Sequence, residues 1–151
     1  MDQGILDYIK SQRISVFGIE MLDGSPHGAT VHFAHQENPL TFIFETSSKY
    51  RKSEPLLAND TARATLVIGF VEGPTEKTFQ ADGIATLLTS DDQLKKVYLS
   101  KFPEKEAKAG DPDNIFFSFT PTWWRFTDWG RPEGKTVITS DGKVVVAGKS
   151  A

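Results

Sequence analysis

The chain has no cysteine among its 151 residues. That excludes disulfides, thiolate zinc sites, iron–sulfur clusters and cysteine nucleophiles together. It is consistent with a reducing compartment. Long hydrophobic runs are also absent. The longest, Leu66–Val71, is far short of the roughly 20 residues that span a bilayer, so no membrane partner is expected. Nor is there an excess of positive charge: 17 Lys and Arg against 20 Asp and Glu give a net charge of −3 and a pI near 5.6. An acidic chain has no field to collect nucleic acid. The start, Met1-Asp2-Gln3-Gly4, lacks a basic region followed by an apolar core, which sets the expectation of a cytoplasmic protein without a secretory signal. Phenylalanine is plentiful instead, with eleven residues mostly in β-like runs, as in a barrel or sandwich core.

The length suits one domain over residues 1–151, which can bury roughly 70% of its unfolded surface without staples. Ile5–Ser11 places Ile5, Leu6 and Ile9 on one helical face. Strands are expected at Ile14–Met21, Ala29–His35, Leu40–Thr46, Ala62–Val71 and Thr78–Leu88. Asp23-Gly24-Ser25-Pro26 and Gln36–Pro39 supply the turns between them. A helical turn is expected over Pro55–Asn59 with Ser53 as its cap. Gly83 interrupts its strand and marks a bulge or a close approach of backbone or ligand. Ser90–Phe102 reads as a helix with capping-box spacing at Ser90 and Gln93 and a buried stripe of Leu94, Val97 and Tyr98. Ile115–Phe119 and Trp123–Trp129 read as two strands broken by Pro121, and Thr136–Ala147 as a hairpin turning at Asp141-Gly142. Antiparallel strands, short loops and few helices predict a mainly β fold, a closed or partly closed barrel.

One segment carries chemistry. Thr46-Ser47-Ser48-Lys49-Tyr50-Arg51-Lys52 leaves the end of an apolar strand and gathers hydroxyls and three cations within seven residues. Arginine offers a planar fork, lysine a point charge, and serine and threonine short donors, a mixture that suits a phosphate ester. Backbone N–H groups leaving a strand end can add to such a cradle. The same run also suits an ordinary solvated loop.

Phe44-Glu45-Thr46 followed by Tyr50-Arg51-Lys52, then Leu56-Leu57 and Asn59-Asp60, leads into the strand at Ala62. Asp23-Gly24-Ser25-Pro26 lies upstream and Gly83-Ile84-Ala85 downstream. In that order and at those separations, from about Ile5 to Trp124, the segments resemble the pyridoxamine 5′-phosphate oxidase-like family of split β-barrels that bind flavin mononucleotide (FMN). Within it the chain resembles the short, general-stress-protein-like members. The resemblance implies an antiparallel split β-barrel and an FMN at the interface of a homodimer. It puts Thr46, Arg51 and Lys52 on the phosphate and ribityl chain, with Ser47 and Lys49 as additions from the same loop. Thr30 and His32 would run beside the flavin ring, and Thr78 or Gln80 would approach its edge. Three positions depart from the family pattern. Thr30 and His32 stand where many members carry an arginine, Tyr50 replaces a serine and Glu45 replaces an aromatic.

All three tryptophans lie in Thr122–Trp129. Aromatics of this kind line sheet faces and interfaces as readily as ligands; Trp124 resembles a tryptophan near the end of short family members and is the one that would contact flavin. Arg125-Phe126-Thr127-Asp128 only partly echoes the substrate element of true pyridoxamine phosphate oxidases. The implied activity is that of an FMN-dependent oxidoreductase acting on a small substrate or a reduced nicotinamide. The alternatives are a non-catalytic flavin-binding stress protein and a deazaflavin (F420) reductase. Haem is least expected, because only His32 among the three histidines shares the inferred flavin face.

Overall fold

Asp2 opens the first helix by accepting a hydrogen bond from Gly4 N at 2.8 Å. The computed structural model describes residues 1–90 and 92–147. Helix α1 (Gln3–Ser11) buries Ile5, Leu6 and Ile9, the face its spacing predicts. Nine strands follow: β1 (Ile14–Glu20), β2 (Pro26–His32), β3 (Ala34–Glu37), β4 (Leu40–Ser47), β5 (Thr61–Ile68), β6 (Lys77–Leu88), β7 (Asn114–Asp128), β8 (Lys135–Thr139) and β9 (Val144–Ala147). Between β4 and β5 stand a 3-10 turn, Arg51–Ser53, and helix α2 (Glu54–Asn59). Between β6 and β7 stand α3 (Asp92–Lys101) and a 3-10 helix, Pro103–Lys108. No helix among the described residues is long and apolar enough to cross a membrane.

The strands form one antiparallel sheet in the order β2-β1-β5-β6-β7-β4-β3, with β8 and β9 added beside β7. The sheet curls into the expected split barrel, and ten of the eleven phenylalanines are buried. Inside, Phe17 packs on Phe44 and Phe117, while Phe44 and Phe117 stack at 4.8 Å. Each phenylalanine taken from water contributes roughly 1.5–3 kcal/mol, so this ladder dominates the stability of the barrel. A second cluster, Ala34, Ile43, Tyr98, Phe102 and Phe116, lies between α3 and the outside of β3, β4 and β7. Strand β4 is therefore covered on both faces, which fixes it as the most rigid strand near the site.

The structure corrects the sequence reading in several places. The single strand expected over Ala29–His35 is two, because the chain bends at Phe33, whose N–H donates to Arg13 O at 3.1 Å. The two strands expected around Pro121 are one continuous β7. Its missing N–H falls at a register shift between Asp82 and Gly83, where the pairing passes from Trp123 to Pro121 and skips Thr122. Gly83 is required there: a Cβ would lie 2.1 Å from Thr120 O. The strand expected to reach Val71 stops at Ile68, leaving Phe70 and Val71 exposed, because Gly69 takes a φ of +130°. Ser53 does not cap α2 through its side chain; its hydroxyl donates to Ser47 O at 2.7 Å. The capping box at Ser90–Gln93 runs through Asp91, outside the described residues. The tail hairpin is present, turning at Gly142 with φ +83°.

Candidate functional site: the split between two strands

Strand β3 pairs with β4 from Glu37↔Leu40 to Ala34↔Ile43. One residue upstream the chain leaves β4 at Phe33, and β2 pairs with β1 instead. Strand β4 runs on to Ser47 with only β7 beside it. Its edge from Phe44 to Ser47 thus has no ladder partner on the side of β2. Strand β2 packs against β4 and against the Arg51–Ser53 turn, so the three meet at the split.

The loop at the end of β4 is tightly folded. Ser48 N donates to Asp113 O at 2.7 Å, Tyr50 N to Ser47 O at 3.2 Å and Ser53 N to Tyr50 O at 2.9 Å. The Ser53 hydroxyl adds its bond to the same Ser47 carbonyl. These bonds hold Thr46, Ser47, Lys49, Arg51 and Lys52 in one short turn.

The three cations of that turn differ in their surroundings. Lys49 Nζ is 3.0 Å from Asp113 Oδ2, and that hydrogen bond raises its pKa. Arg51 is exposed and has no ion pair among the described residues. Its charge is a lesser cause of the lowered pKa of Asp23, which is held down first by the Ser25 hydroxyl and Ser25 N–H. Lys52 is only 8% exposed. Its ammonium lies 4.5 Å from the centre of the Tyr50 ring, and no carboxylate among the described residues is within ion-pair distance. Burial pushes its pKa down. A mostly buried ammonium and a neighbouring guanidinium, neither in an ion pair among the described residues, form a site suited to an anion.

Thr30 and His32 are exposed on β2. His32 sits edge-on to Phe102 at 5.4 Å, with Nδ1 3.5 Å from Lys105 Nζ. Its pKa is lowered first by burial and then by Lys105 and Arg13, which favours the neutral ring. Thr78 and Gln80 belong to the outer face of β6. Register carries Thr30 through Val16 and Val67 to Gln80, three inter-strand steps of about 4.8 Å each along the curled sheet. Trp124 lies on the opposite, core-facing row with Phe17, Leu66 and Ala81, and stacks on Phe79 at 6.0 Å.

Arg125-Phe126-Thr127-Asp128 is used structurally. Asp128 accepts from Gly130 N at 2.9 Å and pairs with Arg131 at 3.4 Å, pinning the turn into β8. Glu45 is a residue whose role the sequence did not reveal. Its Oε2 is buried without a hydrogen-bond partner, and its charge raises the pKa of Tyr98, second to burial. The only sequence signal was its replacement of the family's aromatic. Among the described residues no group of three or more acidic or histidine side chains could hold a metal.

Among curated proteins, none matches this sequence. Several solved structures share the fold. A conserved hypothetical protein from Mycobacterium tuberculosis matches with a TM-score of 0.70 at 17% identity, covering 100% of this chain and 94% of that one. A Clostridium acetobutylicum protein related to general stress protein 26 of Bacillus subtilis matches at 0.66 and 17% identity, covering 93% and 98%. A heme binding protein from Mycobacterium smegmatis matches at 0.68 and 12% identity, covering 87% of this chain and 54% of that one, so the chain spans about half of that relative's length. The model of the family named pyridoxamine 5′-phosphate oxidase matches residues 1–128, through the whole of β7, and the chain belongs to that family.

Proposed function

We propose that the protein is a flavoprotein that binds FMN in the split between β2 and β4, with the phosphate on Arg51 and Lys52. The observation that carries this reading is the pair of uncompensated cations on the rigid turn after β4, one of them mostly buried. A charged hydrogen bond is worth roughly 1.5–3 kcal/mol, enough for two such groups to anchor a phosphate ester. Thr46 and Ser47 add hydroxyls, and the open edge of β4 adds backbone groups. Thr30 and His32 would flank the flavin ring along β2, with a hydroxyl and a neutral imidazole in place of an arginine.

Thr78 and Gln80 lie across the sheet from β2, on β6. The reading assigns them to the cleft of a second copy, in a homodimer with the cofactor at the interface. Trp124 supports β6 from the core side and has no direct contact in this scheme. When bound, the flavin supplies the electron and hydride transfer. The chain's residues anchor its phosphate, hold the ring against β2 and keep water from it. The activity that follows is an oxidoreductase acting on a small substrate or a reduced nicotinamide. A flavin holder without turnover, in the manner of a stress protein, fits the same cleft.

A haem ligand is the second reading, favoured by the neutral His32 imidazole at the mouth of the split and by the likeness to a heme binding protein. The visible spectrum of the purified protein, with mass identification of what it carries, separates these readings. Flavin bands support FMN, a Soret band supports haem, and a single violet band supports a deazaflavin. A colourless protein that takes up no FMN on reconstitution removes the leading reading.

A further inference from the structure

Away from the split, a groove of about 460 Å³ lies between α1, β3 and α3. Lys10, Ala34, His35, Glu37, Val97, Ser100 and Lys101 line it. Lys101, the last residue of α3, reaches its wall from a largely aromatic setting. Its ammonium is 4.4 Å from the centre of the Phe33 ring and 5.8 Å from that of Phe102, and it donates to Gln12 O.

The charges around Lys101 disfavour a second positive centre. The Arg13 guanidinium lies 4.7 Å over the same Phe102 ring, and Lys105 lies 5.1 Å from it. Lys10 shares the groove. Of the nearby carboxylates, Glu104 pairs with Arg13 at 3.6 Å, while Glu37 lines the groove 3.8 Å from His35 Nε2, whose pKa burial lowers. Burial and Arg13 together bring the Lys101 pKa down to about 8. A deprotonated amine can keep one N–H on Gln12 O and still offer its lone pair as a nucleophile.

We propose that Lys101 captures carbonyl compounds: its amine adds to the carbonyl carbon of a small aldehyde or ketone seated in the groove. The carbinolamine then loses its hydroxyl as water and forms a reversible imine. Amine and carbonyl enter, imine and one water leave, and no oxidant or reductant is needed. His35 lines the same groove, and solvent carries the protons between nitrogen and the departing hydroxyl. This site is separate from the FMN cleft, so either assignment can fail without the other.

The test uses the full-length chain with 4-carboxybenzaldehyde and cyanoborohydride, which fixes imines as secondary amines, followed by peptide mapping. Lys101 is expected to label at least tenfold faster than exposed Lys96 and Lys143, with a half-maximal rate near pH 8. Lys101→Arg should lose that label and keep the slow ones. Labelling of Lys101 no faster than the exposed lysines overturns the proposal. If that variant fails to fold, the wild-type peptide map decides the question alone.

Discussion

Lys49 and Asp113 hold their charges 3.0 Å apart, which neutralises one of the three cations in the basic run. An exposed pair of this kind contributes about 0–1 kcal/mol to stability and leaves little field for a ligand. Among the described residues Arg51 and Lys52 have no such partner within ion-pair distance. The prediction is asymmetric: Lys49→Ala should change FMN affinity by no more than about threefold. Arg51→Ala combined with Lys52→Ala should raise Kd roughly a hundredfold or more, from two charged hydrogen bonds of roughly 1.5–3 kcal/mol each. Fluorescence titration of FMN measures both. Equal losses in the two variants would place the phosphate elsewhere.

Gly83 is fixed by its neighbour's backbone. A Cβ there would meet Thr120 O at 2.1 Å and Pro121 Cα at 2.9 Å, and neither can move as a side-chain end can. Gly83→Ala should cost on the order of 1–3 kcal/mol through overpacking. In a domain of this length that lowers Tm by roughly 2–4 °C per kcal/mol. Gly28→Ala is the control, since nothing lies within 4 Å of its Cβ position. It should leave Tm unchanged or slightly raised by the lost freedom of the unfolded chain.

The Lys101 pKa has a consequence for stability that is independent of any ligand. Its ordinary value is 10.5 and the folded value is about 8. Between these two the unfolded chain binds more protons than the folded one, so this residue's contribution to stability rises with pH across that window. At pH 7 the charged form must be held in a half-buried aromatic setting. Lys101→Met removes the titration. The Tm of the wild type relative to this variant should therefore climb from pH 8 to pH 10 and stay flat from pH 6 to pH 7. A flat difference throughout would mean that the amine titrates as in water.

The sequence carried the fold well where periodicity and turn chemistry agree. Helical spacing put Ile5, Leu6 and Ile9 on the face that α1 buries, and Gly83 was legible as a bulge because a strand interior seldom tolerates glycine otherwise. The bend at Phe33 was not legible. Val31, Phe33 and Ala34 are all buried, so the hydrophobic pattern continues across the bend, and what breaks the strand is a distant bond to Arg13 O. Pro121 misled for the opposite reason. Its missing N–H is absorbed by a bulge formed with β6, a pairing no local pattern contains. At the candidate site, the basic run marked the turn that follows β4, and only the family resemblance set Lys49 apart from Arg51 and Lys52. Only the fold brings Asp113 to Lys49 and the Tyr50 ring to Lys52.

The three inter-strand steps between Thr30 and Gln80 make the shared site testable without a structure of the dimer. If Thr78 and Gln80 complete the cleft of the second copy, a Thr78→Ala, Gln80→Ala chain and an Arg51→Ala, Lys52→Ala chain are each defective in both sites of their own homodimer. Mixed after mild dissociation, they form hybrids in which one cleft combines the intact turn of the first chain with the intact β6 of the second. The other cleft collects every substitution. FMN binding should thus reappear in the mixture, at one tight site per hybrid dimer, measured by fluorescence quenching with native mass spectrometry for stoichiometry. Residues acting within one chain cannot complement in this way. A mixture that binds no more than the average of its two components would return Thr78 and Gln80 to a purely structural role on the outer face of β6.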